Sequence, residues 1–372
     1  MPSLRFEHRI HEQIIPSIRR AQGTVEFTKI YVVHAGSNQT SEGRARKLER
    51  DLRILELERR ERPDHPFVLF NLGMTYEDSG DHSTAEVHLR RCIECSGPGE
   101  SQLGKAWSLL VNCLRSQGKG EEAVIAVKRA LQQFGSDKEL LFRYATLLQD
   151  VASHEEAVNI YHRILTEDIE PGFQSTDSSI SGYKSHHNMA VSLKKLGRLK
   201  EATDHWRMTV SLSPSFDIAW LLLARVLMQS RDFGALDVLV QSLPTVIQNT
   251  ATDALIRALL FEARGSLIEV QQTLETAWND FHEPECLDEL ARILMDSGNA
   301  ISAIAVLRTL QSVRPECPSV LHNLAQALRL AQRPAEAIPL AQRSLELRPN
   351  APQTVRLLKE LLDSHDDPGR QS

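Results

Sequence analysis

Pro66–Cys95 reads PFVLFNLGMTYEDSGDHSTAEVHLRRCIEC. Leu72, Gly73 and Tyr76 precede a Ser79-Gly80-Asp81 break, and Ala85, Leu89 and Cys92 follow it at three- to four-residue spacing. Such spacing lines apolar side chains along one stripe of a helix, so the stretch predicts two amphipathic helices joined at Gly80. The pattern recurs. A small residue matching Ala85 stands at Ala123, Ala157, Ala202, Ala303 and Ala337, and Ala123 to Ala157 and Ala303 to Ala337 are each 34 residues. The small position of the first helix gives Gly73, Val111, Ala145, Ala190, Ala224, Ala258, Ala291 and Ala325. Eight helical hairpins follow, with those beginning near Asp217 and Ala251 degenerate. Small residues at a helix crossing let two axes approach where larger ones would hold them apart.

A 34-residue helix–turn–helix unit with these positions resembles the tetratricopeptide repeat. The resemblance implies an all-α, right-handed solenoid, because one hairpin cannot bury its own apolar stripe and must stack on its neighbours. Gly80, Gly118, Gly197 and Gly298 sit where a first helix ends in the left-handed conformation. Pro214, Pro315 and Pro349 sit where a second helix stops. The expected organisation is therefore repeats 1–3 over 66–166, an inserted exposed loop over 167–182, repeats 4–8 over 183–349, and a capping helix with a polar tail over 350–372. The loop is inferred because Ala157 to Ala202 spans 45 residues instead of 34. In the cap, Val355, Leu357, Leu358, Leu361 and Leu362 form the apolar stripe, and the tail is taken from Asp363.

Composition agrees with a helical, soluble chain. Of 372 residues, 41% are hydrophobic and 25% charged, which excludes a disordered or collagen-like polymer. The 43 basic and 49 acidic residues leave a net charge of −6, so no electrostatic footprint for nucleic acid or an anionic membrane is present. No stretch has the roughly 20 apolar residues of a membrane span. Five cysteines, Cys92, Cys95, Cys113, Cys286 and Cys317, lack the spacing of a disulfide framework and predict a reducing, cytoplasmic setting.

The first sixty-five residues differ from the repeats. A helix is expected around Glu12–Arg20, a strand over Val25–Val33, and a connecting helix over 42–65 that lies along the first repeat through Leu48, Leu52, Leu55 and Leu57. A lone strand leaves its backbone unsatisfied, so it packs on the array, pairs in trans, or ends a larger domain. RFEHRIHEQI at Arg5–Ile14, VVHAGS at Val32–Ser37, KLERDLRILELERRERPDHPFVLFNLG at Lys47–Gly73 and GYKSHHNMAV at Gly182–Val191 resemble bacterial family-2 glycosyltransferases with C-terminal tetratricopeptide repeats. The resemblance implies that 1–41 is the last helix and strand of a nucleotide-sugar-binding domain whose catalytic body is missing. It further implies that His11 and Glu12 lie near an acceptor site and His34 near a Mn²⁺ or Mg²⁺ ion. No Asp-x-Asp occurs in the sequence to hold a metal and a sugar diphosphate. On their own residues, His11, Glu12 and His34 read as solvated or capping groups.

Other motifs are weaker. Cys92-Ile-Glu-Cys95 with His88 one turn earlier suits a zinc or redox site, but Cys92 also fills the repeat's small core position. His186, His187 and His205 lack an accompanying carboxylate or cysteine at ligand spacing. Nucleophile elbows and phosphate loops are absent from the sequence. The remaining candidate surface is the groove that first helices line in tetratricopeptide arrays. Asn71, Glu77, Asn112, Arg115, Arg143, Asn188, Lys195, Asn323 and Arg329 would line it. Asn71, Asn188 and Asn323 share one repeat position, where an amide can donate to and accept from an extended peptide backbone; each also reads as a merely solvated side chain. The expected function is a scaffold that binds protein or peptide segments, requires no cofactor and is not an enzyme by itself. The alternative is the acceptor-recognition part of a split or truncated glycosyltransferase, with a nucleotide-sugar and Mn²⁺ or Mg²⁺ supplied elsewhere.

Overall fold

The computed structural model describes residues 4–9, 14–24, 41–97, 100, 102–167 and 177–366. Every regular element among these residues is helical. The chain divides into two compact units, Met1–Gly197 and Arg198–Ser372. Unit 1 contains α1 (Ile15–Arg20), α2 (Ser41–Glu61), α3 (Pro66–Asp78), α4 (His82–Cys95), α5 (Leu103–Ser116), α6 (Gly120–Phe134), α7 (Lys138–Asp150), α8 (His154–Thr166), a 3₁₀ turn at Ser178–Ser181, and α9 (Tyr183–Lys195). Unit 2 contains α10 (Leu199–Leu212), α11 (Asp217–Gln229), α12 (Phe233–Gln241), α13 (Ala251–Ala263), α14 (Leu267–Phe281), α15 (Pro284–Asp296), α16 (Ala300–Val313), α17 (Pro318–Leu330), α18 (Pro334–Leu347) and α19 (Pro352–Asp366).

Within each unit, successive helices pack as antiparallel hairpins that touch the next hairpin, as the small residues require. Ala145, Ala190, Ala224, Ala258, Ala291 and Ala325 are fully buried, and so are Ala85, Ala123, Ala157, Ala202, Ala303 and Ala337. The two degenerate repeats keep this geometry with larger side chains: Leu236 and Val270 occupy the second-helix position, also fully buried. Each first helix that opens a repeat ends at a residue of positive φ. Glycine supplies it at Gly80, Gly118, Gly197, Gly265 and Gly298, and Ala152, Arg231 and Gln332 take the same conformation without it.

Helix starts follow side-chain chemistry. Asp81, Asp137, Asp232 and Asn299 accept from the backbone amides of Thr84, Leu140, Ala235 and Ser302, satisfying donors that a helix leaves open at its first turn. Pro66, Pro284, Pro318, Pro334 and Pro352 open their helices, where a missing N–H costs nothing.

Four expectations need adjustment. The segment 167–182 is not wholly an exposed loop: its end folds into the 3₁₀ turn, with Ile180 buried. The terminal helix runs to Asp366, beyond the point where the polar tail was expected. Of its stripe, Leu357 and Leu361 are buried whereas Val355 and Leu362 are exposed, so it packs along a narrow line. In α2, Leu55 is buried against Val68 and Leu72, and Leu57 is exposed. The expected strand at Val25–Val33 lies outside the described residues.

Candidate functional site

On unit 1 the first helices carry polar side chains that pair from one repeat to the next. Asn112 Nδ2 donates to Glu77 Oε1 at 2.5 Å. Arg115 makes a two-point contact with Asp150, Nη2 donating to Oδ1 at 2.8 Å and Nε to Oδ2 at 2.5 Å. Lys105 Nζ and Ser108 Oγ both donate to Glu139 Oε1, at 2.6 and 2.8 Å, and Arg143 Nε donates to Ser108 Oγ at 3.2 Å. Gln149 Nε2 donates to Asn188 O and to Ser192 Oγ, each at 2.8 Å, while its Oε1 accepts from Tyr161 at 2.9 Å. The ladder therefore runs from α3 through α5 and α7 to α9.

Its rungs differ in strength. The Glu139 carboxylate is 4% exposed and held by charge-assisted hydrogen bonds, so it is a fixed structural anion. Arg115 and Asp150 are 42% and 43% exposed. A pair so open to water is worth only about 0.2–1 kcal/mol, and either partner can turn to a ligand at little cost. Asp150 nonetheless holds the Arg115 guanidinium above its usual range through their hydrogen bonds.

Asn71 is buried at 2% exposure, and its amide donates to Phe67 O at 2.8 Å inside its own helix. That takes it out of the set able to meet a ligand. Asn188 likewise donates to Lys184 O at 2.9 Å but is only half-buried, and Lys195 is exposed.

Unit 2 has a corresponding ion-pair cluster. Arg292 reaches Glu262, Glu289 and Asp296 at 2.7–2.8 Å, and Arg225 meets Glu289 at 3.1 Å. Asn323 hydrogen-bonds Asp288, whose carboxyl is raised above its ordinary range chiefly by burial. Arg329 lies 3.5 Å from Glu360 of α19. None of the residues in this cluster except Asn323 and Arg329 stood out in the sequence. The usable signal was complementary side chains about one repeat apart: Lys105 and Glu139 are separated by 34 residues, Arg115 and Asp150 by 35.

At the other motifs the structure shows packing. Cys92 is fully buried, its thiol pushed up to about 12 by burial, and His88 stacks on Tyr76 with ring centroids 5.5 Å apart. All five cysteines are free thiols. Among the described residues, no group of three or more His, Cys, Asp or Glu side chains could hold a metal ion. His11, Glu12 and His34 lie outside the described residues. Glu58 of α2, only 3% exposed, receives His8 Nδ1 at 2.8 Å and the amide of Arg9 at 3.2 Å, which fastens residues 4–9 to the connecting helix.

Family models of the tetratricopeptide repeat match residues 68–96 and 289–352. The chain carries tetratricopeptide repeats. The repeat fold is shared with the crystal structure of a tetratricopeptide repeat protein from Parabacteroides merdae, at TM-score 0.53 and 15% identity over 80% of this chain and 98% of that one. Pseudomonas aeruginosa pilF gives TM-score 0.49 at 14% identity, over 62% of this chain and 97% of its own. No curated protein matches the sequence. No helix among the described residues is long and apolar enough to cross a membrane.

Proposed function

We propose that this tetratricopeptide array is an interaction scaffold that binds protein or peptide segments along the first-helix faces of its repeats. The carrying observation is the half-exposed rung Arg115–Asp150, flanked by Asn112–Glu77 and Arg143. Its partners are weakly held, point across repeats and offer both donors and acceptors, which suits an extended segment carrying backbone amides and carboxylates. Asn188 and Lys195 belong to the first helices of unit 1, and Asn323 and Arg329 offer a separate first-helix surface on unit 2. The five free thiols support a reducing, cytoplasmic setting.

Panning a displayed peptide library on the intact protein tests this reading. Selected peptides should bind at least tenfold more weakly to an Arg115→Glu, Arg143→Gln variant of unchanged thermal stability. Equal binding by both proteins would remove these residues from the site.

A second reading rests on the sequence segments at Arg5–Ile14, Val32–Ser37, Lys47–Gly73 and Gly182–Val191, which the family matches do not cover except at residues 68–73. In it the scaffold recognises the acceptor for a family-2 glycosyltransferase. The described residues offer no donor set for the metal of such an enzyme, so no catalytic step is assigned to them. Calorimetry with UDP-, GDP- and TDP-sugars and Mn²⁺ separates the readings: saturable heat supports the transferase relation, and its absence leaves the scaffold.

A further inference from the structure

A second surface lies on the other side of the unit 1 hairpins. Between α4 and α6, above α5, is an open groove of about 540 Å³ with an apolar bed of Ile93, Trp107, Leu110 and Ala126. Its volume falls in the range of about 300–1,000 Å³ typical of ligand sites. Ile125 on its wall is 67% exposed, a β-branched aliphatic side chain left in water beside an apolar bed.

Two polar features single the groove out. Arg129 lies over the Trp107 ring, its Cζ 5.7 Å from the centroid, and makes no ion pair among the described residues. Its neighbour Arg90 is already engaged by Glu86 at 2.9 Å and Glu122 at 2.8 Å. The other feature is the indole of Trp107, which is 5% exposed and whose Nε1 is buried without a hydrogen-bond partner. Trp220 occupies the equivalent place in its own repeat, and its Nε1 donates to Pro214 O at 2.9 Å. The groove thus presents an apolar bed and an unpaired guanidinium; its lining carboxylates, Glu122 and Glu94, are engaged by Arg90 at 2.8 Å and Arg91 at 3.2 Å, and the buried indole N–H of Trp107 lies in its floor.

The geometry points to a docking site for a peptide segment in which an apolar side chain stands beside a carboxylate. The apolar side chain lies on Trp107 and Leu110 against Ile125, and the carboxylate pairs with Arg129 over the indole face. A guanidinium stacked on an aromatic ring is preset for such a bidentate contact. A basic segment would bring its charge against Arg129, whereas the lining carboxylates Glu122 and Glu94 are already paired with Arg90 and Arg91.

The test uses the indole N–H signals of the ¹⁵N-labelled full chain, whose four tryptophans are few enough to resolve. The Trp107 signal is assigned by Trp107→Phe, and the probes are the peptide Ac-GELDFG-NH2 and its basic counterpart Ac-GKLKFG-NH2. A saturable shift of the Trp107 signal with the acidic peptide only, weakened at least tenfold by Arg129→Glu or Ile125→Glu, is expected. Both substitutions fall on exposed side chains and leave the fold intact. No shift, equal shifts with the two peptides, or a titration indifferent to Arg129→Glu overturns the proposal. So does loss of the shift in Arg115→Glu, which would place the peptide on the first-helix face.

Discussion

Gly73 and Leu89 are in contact so close that a Cβ on Gly73 would lie 2.6 Å from Leu89 Cγ and 2.7 Å from Leu89 Cδ2. The α3–α4 crossing is thus set by the absence of a side chain at Gly73 and the full burial of Leu89. Gly73→Ala should destabilise unit 1 by about 1–3 kcal/mol, the usual range for overpacking, despite alanine's better helix propensity. Urea unfolding measures the loss, and Leu89→Ala in the same chain should make the two changes non-additive because they share one space. Additive losses would mean that the crossing adjusts elsewhere.

The Glu139 carboxylate should be the costliest rung of the ladder to remove. It is buried, accepts from Lys105 and Ser108, and has Arg143 3.7 Å away. Glu139→Ala is expected to lower stability by about 1–3 kcal/mol, since it strips a charged acceptor from donors placed around it. Asp150→Ala, which opens an exposed pair, should cost less than about 1 kcal/mol. Chemical denaturation of the two variants gives the ranking directly, and a reversal would show that burial does not order these rungs.

The left-handed turns show how far the sequence could be read. Gly80, Gly118, Gly197 and Gly298 announced themselves because glycine takes positive φ without a steric penalty. Ala152, Arg231 and Gln332 hold the same conformation, and nothing in their chemistry marks it. The second-helix position was legible wherever it held alanine and illegible at Leu236 and Val270, which keep the burial with more bulk. The proposed binding face was legible only as single residues. Arg115 and Glu77 were visible as polar side chains on a helix, whereas their pairing with Asp150 and Asn112 is a property of the stack. The Trp107 groove had no sequence signature, since tryptophan in a repeat reads as core.

Strain in the turns is measurable. Gln332, at φ 59°, is a side chain in a region that disfavours one. Gln332→Gly should stabilise the protein by about 0.5–1 kcal/mol, and Gly298→Ala, at φ 80°, should destabilise it by a similar amount. Shifts in thermal midpoint of opposite sign are the expected result. A loss in both would mean that Gln332 makes contacts that outweigh its backbone strain.

Thiol chemistry should separate the cysteines. Partial burial opposes ionisation of Cys317, but the Ser319 hydroxyl and the amides of Ser319 and Val320 outweigh it and hold the thiol below its usual range. Burial raises Cys92 and Cys113 to about 12 and Cys286 to about 11. Since the thiolate is the nucleophile, iodoacetamide at pH 7.5 should alkylate Cys317 well before Cys92, Cys113 or Cys286, as read by peptide mass spectrometry.

The same buried thiols give a pH dependence. Their folded values exceed the ordinary thiol value of 9, so the unfolded chain loses these protons first. Their contribution is fully present below about pH 9 and falls as pH rises toward 11–12, by at most about 1.4 kcal/mol per pH unit for each thiol. Comparing Cys92→Ala with the unaltered chain between pH 8 and 11 isolates one such group: the variant should lose stability less steeply. Parallel curves would show that Cys92 does not contribute.

Gln149 is grasped by Tyr161 of α8 and in turn grasps the Asn188 carbonyl and the Ser192 hydroxyl of α9. This knot joins three helices across the junction where the chain between α8 and α9 departs from the 34-residue period. Because Gln149 grips α9 directly and the 3₁₀ turn at Ser178–Ser181 buries Ile180 just ahead of it, the register of α9 is set on its own side of the connection. Closing a longer connection adds only about 0.6 kcal/mol for each doubling of its length. The junction is thus a natural graft point, where a foreign epitope or an entire small domain can be spliced into the array without changing which helix follows which.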